Sequence, residues 1–151
     1  RTAADIDALR RALADGTIDA VATDHAPHPS EDKECEWAAA AFGMLGLETA
    51  LSVVIESMVR TGLLDWAGVA DRMSTRPAQI GRVANQGGTL VPGQPANVTV
   101  IDPDVTWTVS PSELASRSRN TPYRERVLPG RVVHTVYAGR PTVVDATLER
   151  S

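Results

Sequence analysis

The stretch Ala20-Val21-Ala22-Thr23-Asp24-His25-Ala26-Pro27-His28-Pro29 decides the fold class. It opens with small and β-branched residues, a pattern typical of a short buried strand, and it ends in an acid and two histidines. In parallel barrels the side chains at the carboxyl ends of the strands point into the active site. The pattern therefore predicts that Asp24 lies where a barrel enzyme places a metal ligand or a catalytic group.

The spacing of Asp24 and His28 adds a second argument, because Pro27 stands between them. Proline neither continues a helix nor occupies a central strand, so the chain is expected to leave the strand as a loop. Such a loop can turn the carboxylate and the second imidazole to different sides of a pocket. On spacing alone, a turn with solvated polar residues is the more common use of such a string.

The flanking sequence predicts helix, strand, loop and helix in that order. Thr2 and Asp5 have the spacing of a capping box at the start of the first helix. The expected elements are a helix over 3–15, a strand over 19–23, a loop over 24–40, and a long helix marked by Leu47 to Met58 that ends near Gly62. This alternation fits the last βα unit of a parallel barrel.

Beyond this unit the character of the chain changes near Gly81 to Gly87. Before the change, a short helix over 66–73 is expected, followed by another that Ser74 or Thr75 caps, with Pro77 in its first turn. After it come alternating β-type runs at 98–100, 105–109 and 132–137, with Ala138-Gly139-Arg140 as a hairpin turn. We therefore divide the chain into residues 1–82 and residues 83–151.

Length and composition limit the classes of protein that fit. The 151 residues, 42% of them apolar, suffice for one domain but not for a complete (β/α)8 barrel, which takes about 250 residues. Because the chain opens on Arg1 without an initiator methionine, we expect the C-terminal portion of a larger enzyme, with the N-terminal part of the same protein as its partner.

Charge and cysteine usage narrow the partners and the compartment. A net charge of −4 argues against nucleic acid and anionic membranes as partners. The sequence has no apolar run long enough to span a membrane. The single Cys35 cannot form an internal disulfide, which favours a cytoplasmic location.

Several stretches resemble one known family in both sequence and order. They are Ala22–His28, 31–34, 42–49, 74–78, 93–97 with Asp102, 116–123 and 130–132. Together they look like the end of a dihydroorotase of the amidohydrolase superfamily, and they cover nearly the whole chain. The resemblance implies an α/β fold class: the C-terminal part of a (β/α)8 TIM-type barrel, then part of a small β-sandwich domain.

The resemblance also implies an activity and a set of residue roles. Dihydroorotases carry out the zinc-dependent reversible cyclisation of N-carbamoyl-L-aspartate to L-dihydroorotate in de novo pyrimidine biosynthesis, usually with two zinc ions per active site. Asp24 matches the aspartate that is both metal ligand and general acid/base. His28 matches the histidine that binds the substrate carboxylate, and Phe42 and Gly43 match a loop whose backbone contacts the substrate ring. The other metal ligands belong to N-terminal sequence, so the chain alone is expected to be inactive.

Other polar residues are expected to have structural roles. His25 is expected to face away from the metal and to support packing. Glu48 is expected in the first turn of a helix, where an acid favours the helix dipole. Arg117, Arg119 and Asn120 are expected to make hydrogen bonds between the two parts of the chain.

Two alternatives to dihydroorotase stay open. Allantoinases and hydantoinases share the architecture and the metal chemistry, but His28 suits a substrate carboxylate that a plain hydantoin lacks. Some dihydroorotase-like chains are catalytically inactive scaffolds for aspartate transcarbamoylase, and the intact Asp24 and His28 argue against such decay. The substrate is a small molecule in either enzymatic interpretation. For the parent protein, the partners that we consider are a second copy in a homodimer and aspartate transcarbamoylase.

Overall fold

Helices occupy the first half of the chain and one antiparallel sheet occupies the second half. The computed structural model describes residues 2–83 and 85–149. The helices are α1 Ala3–Asp15, α2 Ser30–Lys33, α3 Ala50–Val54, α4 Trp66–Ala70 and α5 Arg76–Ile80, with π-helical turns Ile55–Val59 and Asp71–Thr75 continuing α3 and α4. The strands are β1 Val98–Thr108, β2 Val127–Tyr137, β3 Arg140–Val144 and β4 Thr147–Leu148. Arg1 and Ser151, the outer ends of the two predicted parts, lie outside the described residues, and the division at 82–83 stays a prediction.

Helix α1 forms as its capping signals predict. The Thr2 hydroxyl accepts the Asp5 backbone N–H at 3.2 Å, and the Asp5 carboxylate accepts the Thr2 backbone N–H at 2.8 Å. Gly16 follows the helix in the left-handed conformation with φ +91°, a C-cap geometry that favours glycine. The prediction of a helix over 3–15 is confirmed.

Residues 19–23 do not form the predicted strand. Val21 donates its backbone N–H to the Arg72 carbonyl at 3.0 Å, and the nearest β-type pairing is one parallel bridge between His25 and Met44. A strand needs a neighbour to satisfy its backbone, and the described residues offer this segment no parallel strand. The loop predicted over 24–40 also contains one helical turn, α2.

The second helical segment is continuous where a break was predicted. Thr75 has helical dihedrals, φ −64° and ψ −53°, and caps nothing; its hydroxyl donates to the Gly87 carbonyl at 2.9 Å. The helix passes instead from α4 through its π-helical turn into α5. Pro77 lacks an N–H, and a π-type turn ahead of it lets the helix continue without the missing bond. The prediction of a new cap at Ser74 or Thr75 is wrong.

The helices share a core with the segment that leads to Asp24. Its buried members are Val54, Met58, Leu64 and Val69. Leu13 from α1 and Val21 pack against them. The long helix predicted from Leu47 begins later, at α3, and runs through its π-helical turn to Val59. None of the helices in the described ranges is long and apolar enough to cross a membrane.

The sheet has the order β1-β2-β3-β4, with every neighbouring pair antiparallel. Ala138 and Gly139 have φ +49° and +82°, both positive as a type I′ hairpin requires, and Tyr137 pairs with Arg140 across them. The predicted hairpin turn is confirmed. The two β runs predicted at 98–100 and 105–109 form one strand, β1, with a register shift between Asp102 and Thr106.

Helix α3 packs directly on β2 and joins the two halves. The Ser52 hydroxyl donates to the Gly130 carbonyl at 2.7 Å, and the Trp107 indole N–H reaches Ser52 Oγ at 3.0 Å and the same carbonyl at 3.1 Å. Gly130 has φ +68°, and a Cβ there would collide with Cδ1 of the buried Ile55. This tight joint sets how the sheet lies against the helices.

Candidate active site

Asp24 presents its carboxylate to solvent at the point where the chain turns into the loop. Its φ of +46° is uncommon for a residue other than glycine, and strained backbone of this kind clusters at functional sites. Within the described part of the chain, no hydrogen bond or ion pair engages this carboxylate. It is therefore free to act as a ligand or to exchange a proton.

The donor set fits a metal site only in part. A carboxylate oxygen is an ordinary zinc ligand, and Asp24 offers one such group. However, residues 2–83 and 85–149 contain no cluster of three or more His, Cys, Asp and Glu side chains that could hold a metal ion. A complete zinc site needs ligands beyond those that this chain brings together.

His28 and Gly43 lie against each other on the far side of the loop. A Cβ built on Gly43 would lie 2.5 Å from Ala26 Cβ and 3.1 Å from His28 Nε2, and Gly43 has φ +119°. Only glycine permits this conformation and this approach without strain. His28 is half-buried, and its Nδ1 lies 3.9 Å from an Asp32 carboxylate oxygen.

A cavity of about 310 Å³ opens beside this contact. Its lining includes His28, Lys33, Gly43, Arg119, Asn120 and Arg124, but not Asp24. Three of the lining side chains are basic, Lys33, Arg119 and Arg124, and one is acidic, Glu34. The cavity is therefore suited to anions. Phe42 is 97% exposed and does not line the cavity, so its contact with the substrate ring stays a prediction.

Asn120 links the loop that follows Asp24 to the segment that begins at Gly43. The sequence predicted that Asn120 bonds across the two parts of the chain, but not which groups it bonds. Its Oδ1 accepts the His28 backbone N–H at 3.2 Å, and its Nδ2 donates to the carbonyls of Ala26 at 2.9 Å and Gly43 at 3.4 Å. The expected bonds between the two parts of the chain are thus made by Asn120. Arg119 instead donates to carbonyls of its own segment, at Leu114, Ser116 and Ser118.

Sequence reasoning missed Lys33 as a residue of the site. Its ammonium group donates to the carbonyls of Ala41 at 2.7 Å and Gly43 at 3.0 Å. The one available signal is that Lys33 is the only lysine of the chain and lies in the acidic loop after His28. Nothing in its spacing indicates which backbone carbonyls it reaches.

His25 and Glu48 support the neighbouring backbone. His25 Nδ1 accepts the N–H groups of Gly46 at 3.1 Å and Leu47 at 3.4 Å, the supporting role expected of it. Glu48 precedes α3, so the prediction that it lies in the first helical turn is wrong. Its carboxylate accepts the N–H groups of Ala115 at 3.0 Å and Ser116 at 3.4 Å, and so anchors the segment that carries Asn120.

Comparison with known proteins places these residues in a family. Residues 1–142 match the amidohydrolase family. The chain belongs to the amidohydrolase family. This family is generally metal-dependent.

Several curated relatives are described as dihydroorotases. The chain is 65% identical over 148 residues to a dihydroorotase from Streptomyces coelicolor, a match that covers 98% of this chain and 35% of that protein. It is 55% identical over 148 residues to a dihydroorotase from Mycobacterium tuberculosis, covering 98% of this chain and 34% of that protein. The chain therefore spans about a third of the length of the curated relatives it matches.

Solved structures of amidohydrolases show the same architecture. An L-hydantoinase (dihydropyrimidinase) from Arthrobacter aurescens superposes with a TM-score of 0.90 at 30% identity, covering 100% of this chain and 34% of that one. A D-hydantoinase (dihydropyrimidinase) from Thermus sp. gives 0.84 at 26% identity, covering 96% of this chain and 32% of that one. The predicted fold class, the C-terminal part of a (β/α)8 barrel followed by part of a β-sandwich, is confirmed.

Proposed function

We propose that the protein containing this chain is a dihydroorotase that interconverts N-carbamoyl-L-aspartate and L-dihydroorotate in de novo pyrimidine biosynthesis. The observation that carries the proposal is the high identity with the dihydroorotases from Streptomyces coelicolor and Mycobacterium tuberculosis over almost the whole chain. The similarity to hydantoinases is strong in structure but much lower in sequence. We therefore favour dihydroorotase over a hydantoinase-type amidohydrolase.

Asp24 is the proton-transfer group of the proposed reaction. In hydrolysis, water adds its oxygen to the ring carbonyl carbon, and one Asp24 oxygen accepts the proton that the water gives up. The ring C–N bond then breaks, and Asp24 returns the proton to the departing nitrogen. An exposed carboxylate that bonds to no other group in the described residues can make both transfers, and cyclisation runs through the same steps in reverse.

Zinc, when bound, supplies Lewis acidity at the carbonyl and lowers the pKa of water. We propose Asp24 as one zinc ligand, through the oxygen that does not carry the proton. One carboxylate cannot hold two zinc ions, so the remaining ligands are proposed to come from the N-terminal part of the same protein. It follows that the chain alone is inactive.

His28, Phe42 and Gly43 are proposed to bind the substrate. The imidazole of His28 can donate a hydrogen bond to a substrate carboxylate. The basic cavity beside it also favours a negatively charged group. The backbone of Phe42 and Gly43 is proposed to contact the ring. In this arrangement residues 1–82 supply the reacting groups, while residues 83–151 form the β part. The exposed and only cysteine, Cys35, suits a cytoplasmic enzyme.

The test compares the full-length protein with its Asp24→Asn variant. Formation and hydrolysis of dihydroorotate are measured, and bound zinc is counted in both proteins. We expect the variant to lose activity by about 10²- to 10⁴-fold, whereas Asp7→Asn, a matched change on the exposed face of α1, leaves activity unchanged. Turnover of hydantoin without turnover of dihydroorotate would favour the hydantoinase alternative. An inactive, zinc-free wild type would indicate a non-catalytic scaffold for aspartate transcarbamoylase.

A further inference from the structure

Segments far apart in the sequence meet at Gly43. The 43–46 segment runs beside the loop that starts at Asp24, with Ala26 donating its N–H to the Met44 carbonyl at 2.9 Å. Asn120 also bonds the 43–46 segment through its backbone, because its carbonyl accepts the Leu45 N–H at 3.2 Å. The two loops of the site are therefore bonded to each other and to a third segment from the β part.

The polarity of the Asn120 side chain matches the backbone groups that it contacts. Its oxygen faces one donor, the His28 N–H, while its nitrogen faces two acceptors, the carbonyls of Ala26 and Gly43. A carboxylate of the same shape could keep the first bond, but it would place a negative oxygen against two carbonyls. Asparagine is thus suited to the position and aspartate is not.

Lys33 also bonds the Gly43 carbonyl. Its ammonium group bonds the carbonyls of Ala41 and Gly43, so two side chains share the Gly43 oxygen. Because an added Cβ on Gly43 would lie only 3.1 Å from His28 Nε2, a small shift of the 41–43 backbone changes the space in front of the imidazole. The place of Gly43 relative to His28 is therefore set by Asn120 and Lys33.

We propose that Asn120 and Lys33 are positioning residues that set the substrate-carboxylate subsite by holding Gly43 against His28. This inference rests on the proposed function, because it assigns the subsite to a cyclic amide that carries a carboxylate. Neither residue takes part in proton transfer at Asp24. Their loss is expected to weaken substrate binding while the chemical step is largely retained.

The experiment uses the full-length protein and the variant Asn120→Asp. Asn97→Asp is the matched control, because Asn97 also joins two backbone segments, with Nδ2 donating to the Asn85 carbonyl and Oδ1 accepting the Ala138 N–H, and it does not line the cavity beside His28. We expect KM for dihydroorotate to rise about tenfold or more in Asn120→Asp, with kcat within about threefold of wild type. Zinc content should not change, and Asn97→Asp should match wild type.

Two further measurements keep the test decisive. Lys33→Met removes the ammonium group and keeps the aliphatic stem, and it should raise KM in the same way even if Asn120→Asp fails to fold. Amide hydrogen exchange should speed up at Ala26 and Leu45 in Asn120→Asp but not in Asn97→Asp.

The outcomes separate this inference from the proposed function. A KM within twofold of wild type in both site variants, or an equal rise in the control, would overturn the positioning role. A wild type that does not turn over dihydroorotate would overturn the proposed function, and amide exchange would still decide whether Asn120 holds the two loops together.

Discussion

Replacing Gly130 with alanine tests the joint between α3 and the sheet. Gly130 is buried on β2 with φ +68°, and a Cβ there would run into Cδ1 of Ile55, a side chain that is itself 2% exposed. The new methyl group has no empty space to enter, and Ile55 has little room to move aside. Gly130→Ala should therefore be among the most destabilising single-methyl changes in the described structure.

The size of the effect follows from two contributions. A left-handed backbone costs an alanine about 1–2 kcal/mol, and forcing a methyl group into a packed core costs about 1–3 kcal/mol. The sum is about 2–5 kcal/mol for Gly130→Ala. Gly139 supplies the matched control, because it has φ +82° but no atom within 4 Å of an added Cβ, so Gly139→Ala carries only the backbone contribution.

The assay is urea unfolding of the full-length protein, followed by circular dichroism. Adding Ile55→Val, which removes Cδ1, isolates the collision. Alone, Ile55→Val should destabilise by about 0.5–1.5 kcal/mol, but in the Gly130→Ala background it should be neutral or stabilising. Equal losses for Gly130→Ala and Gly139→Ala, or strict additivity with Ile55→Val, would refute the reasoning.

Two other predictions concern single hydrogen-bonded groups. Ser52→Ala should reduce the free energy of unfolding by about 1–2 kcal/mol in the same urea assay, because the buried Ser52 hydroxyl bonds both Gly130 and Trp107. An unchanged free energy would show that the direct bond from Trp107 to the Gly130 carbonyl holds this contact without the hydroxyl. The pKa of Asp5 lies below its usual 3.8, mainly because its carboxylate accepts the Thr2 backbone N–H. Its support of α1 should thus be complete above about pH 4 and fade as the pH falls through the lowered pKa, and a titration of the Thr2 amide shift by nuclear magnetic resonance should give a midpoint below 3.8. A midpoint at or above 3.8 would contradict this account.

Elements that depend on neighbours in sequence were predictable. Helix α1 begins and ends where Thr2, Asp5 and Gly16 place its caps, and the hairpin turns at Ala138 and Gly139. Each of these signals acts within three or four residues, so it needs no partner from a distant part of the chain.

Elements that depend on distant partners were not predictable. Residues 19–23 have the composition of a strand, but a strand exists only when another backbone pairs with it. Thr75 has the type of residue that caps a helix, but the helix passes through it because a π-type turn accommodates Pro77. In both cases tertiary context overrode a local preference.

The candidate site divides in the same way. The sequence by itself determined which groups are chemically able to act, Asp24 as an acid and His28 as a donor, because their type and their spacing around Pro27 are local properties. Only the tertiary structure decided that Gly43 lies against His28 and that Asn120, 92 positions after His28, bonds its backbone N–H. Such contacts depend on how two loops and the sheet pack in three dimensions, and no periodicity along the chain encodes that distance.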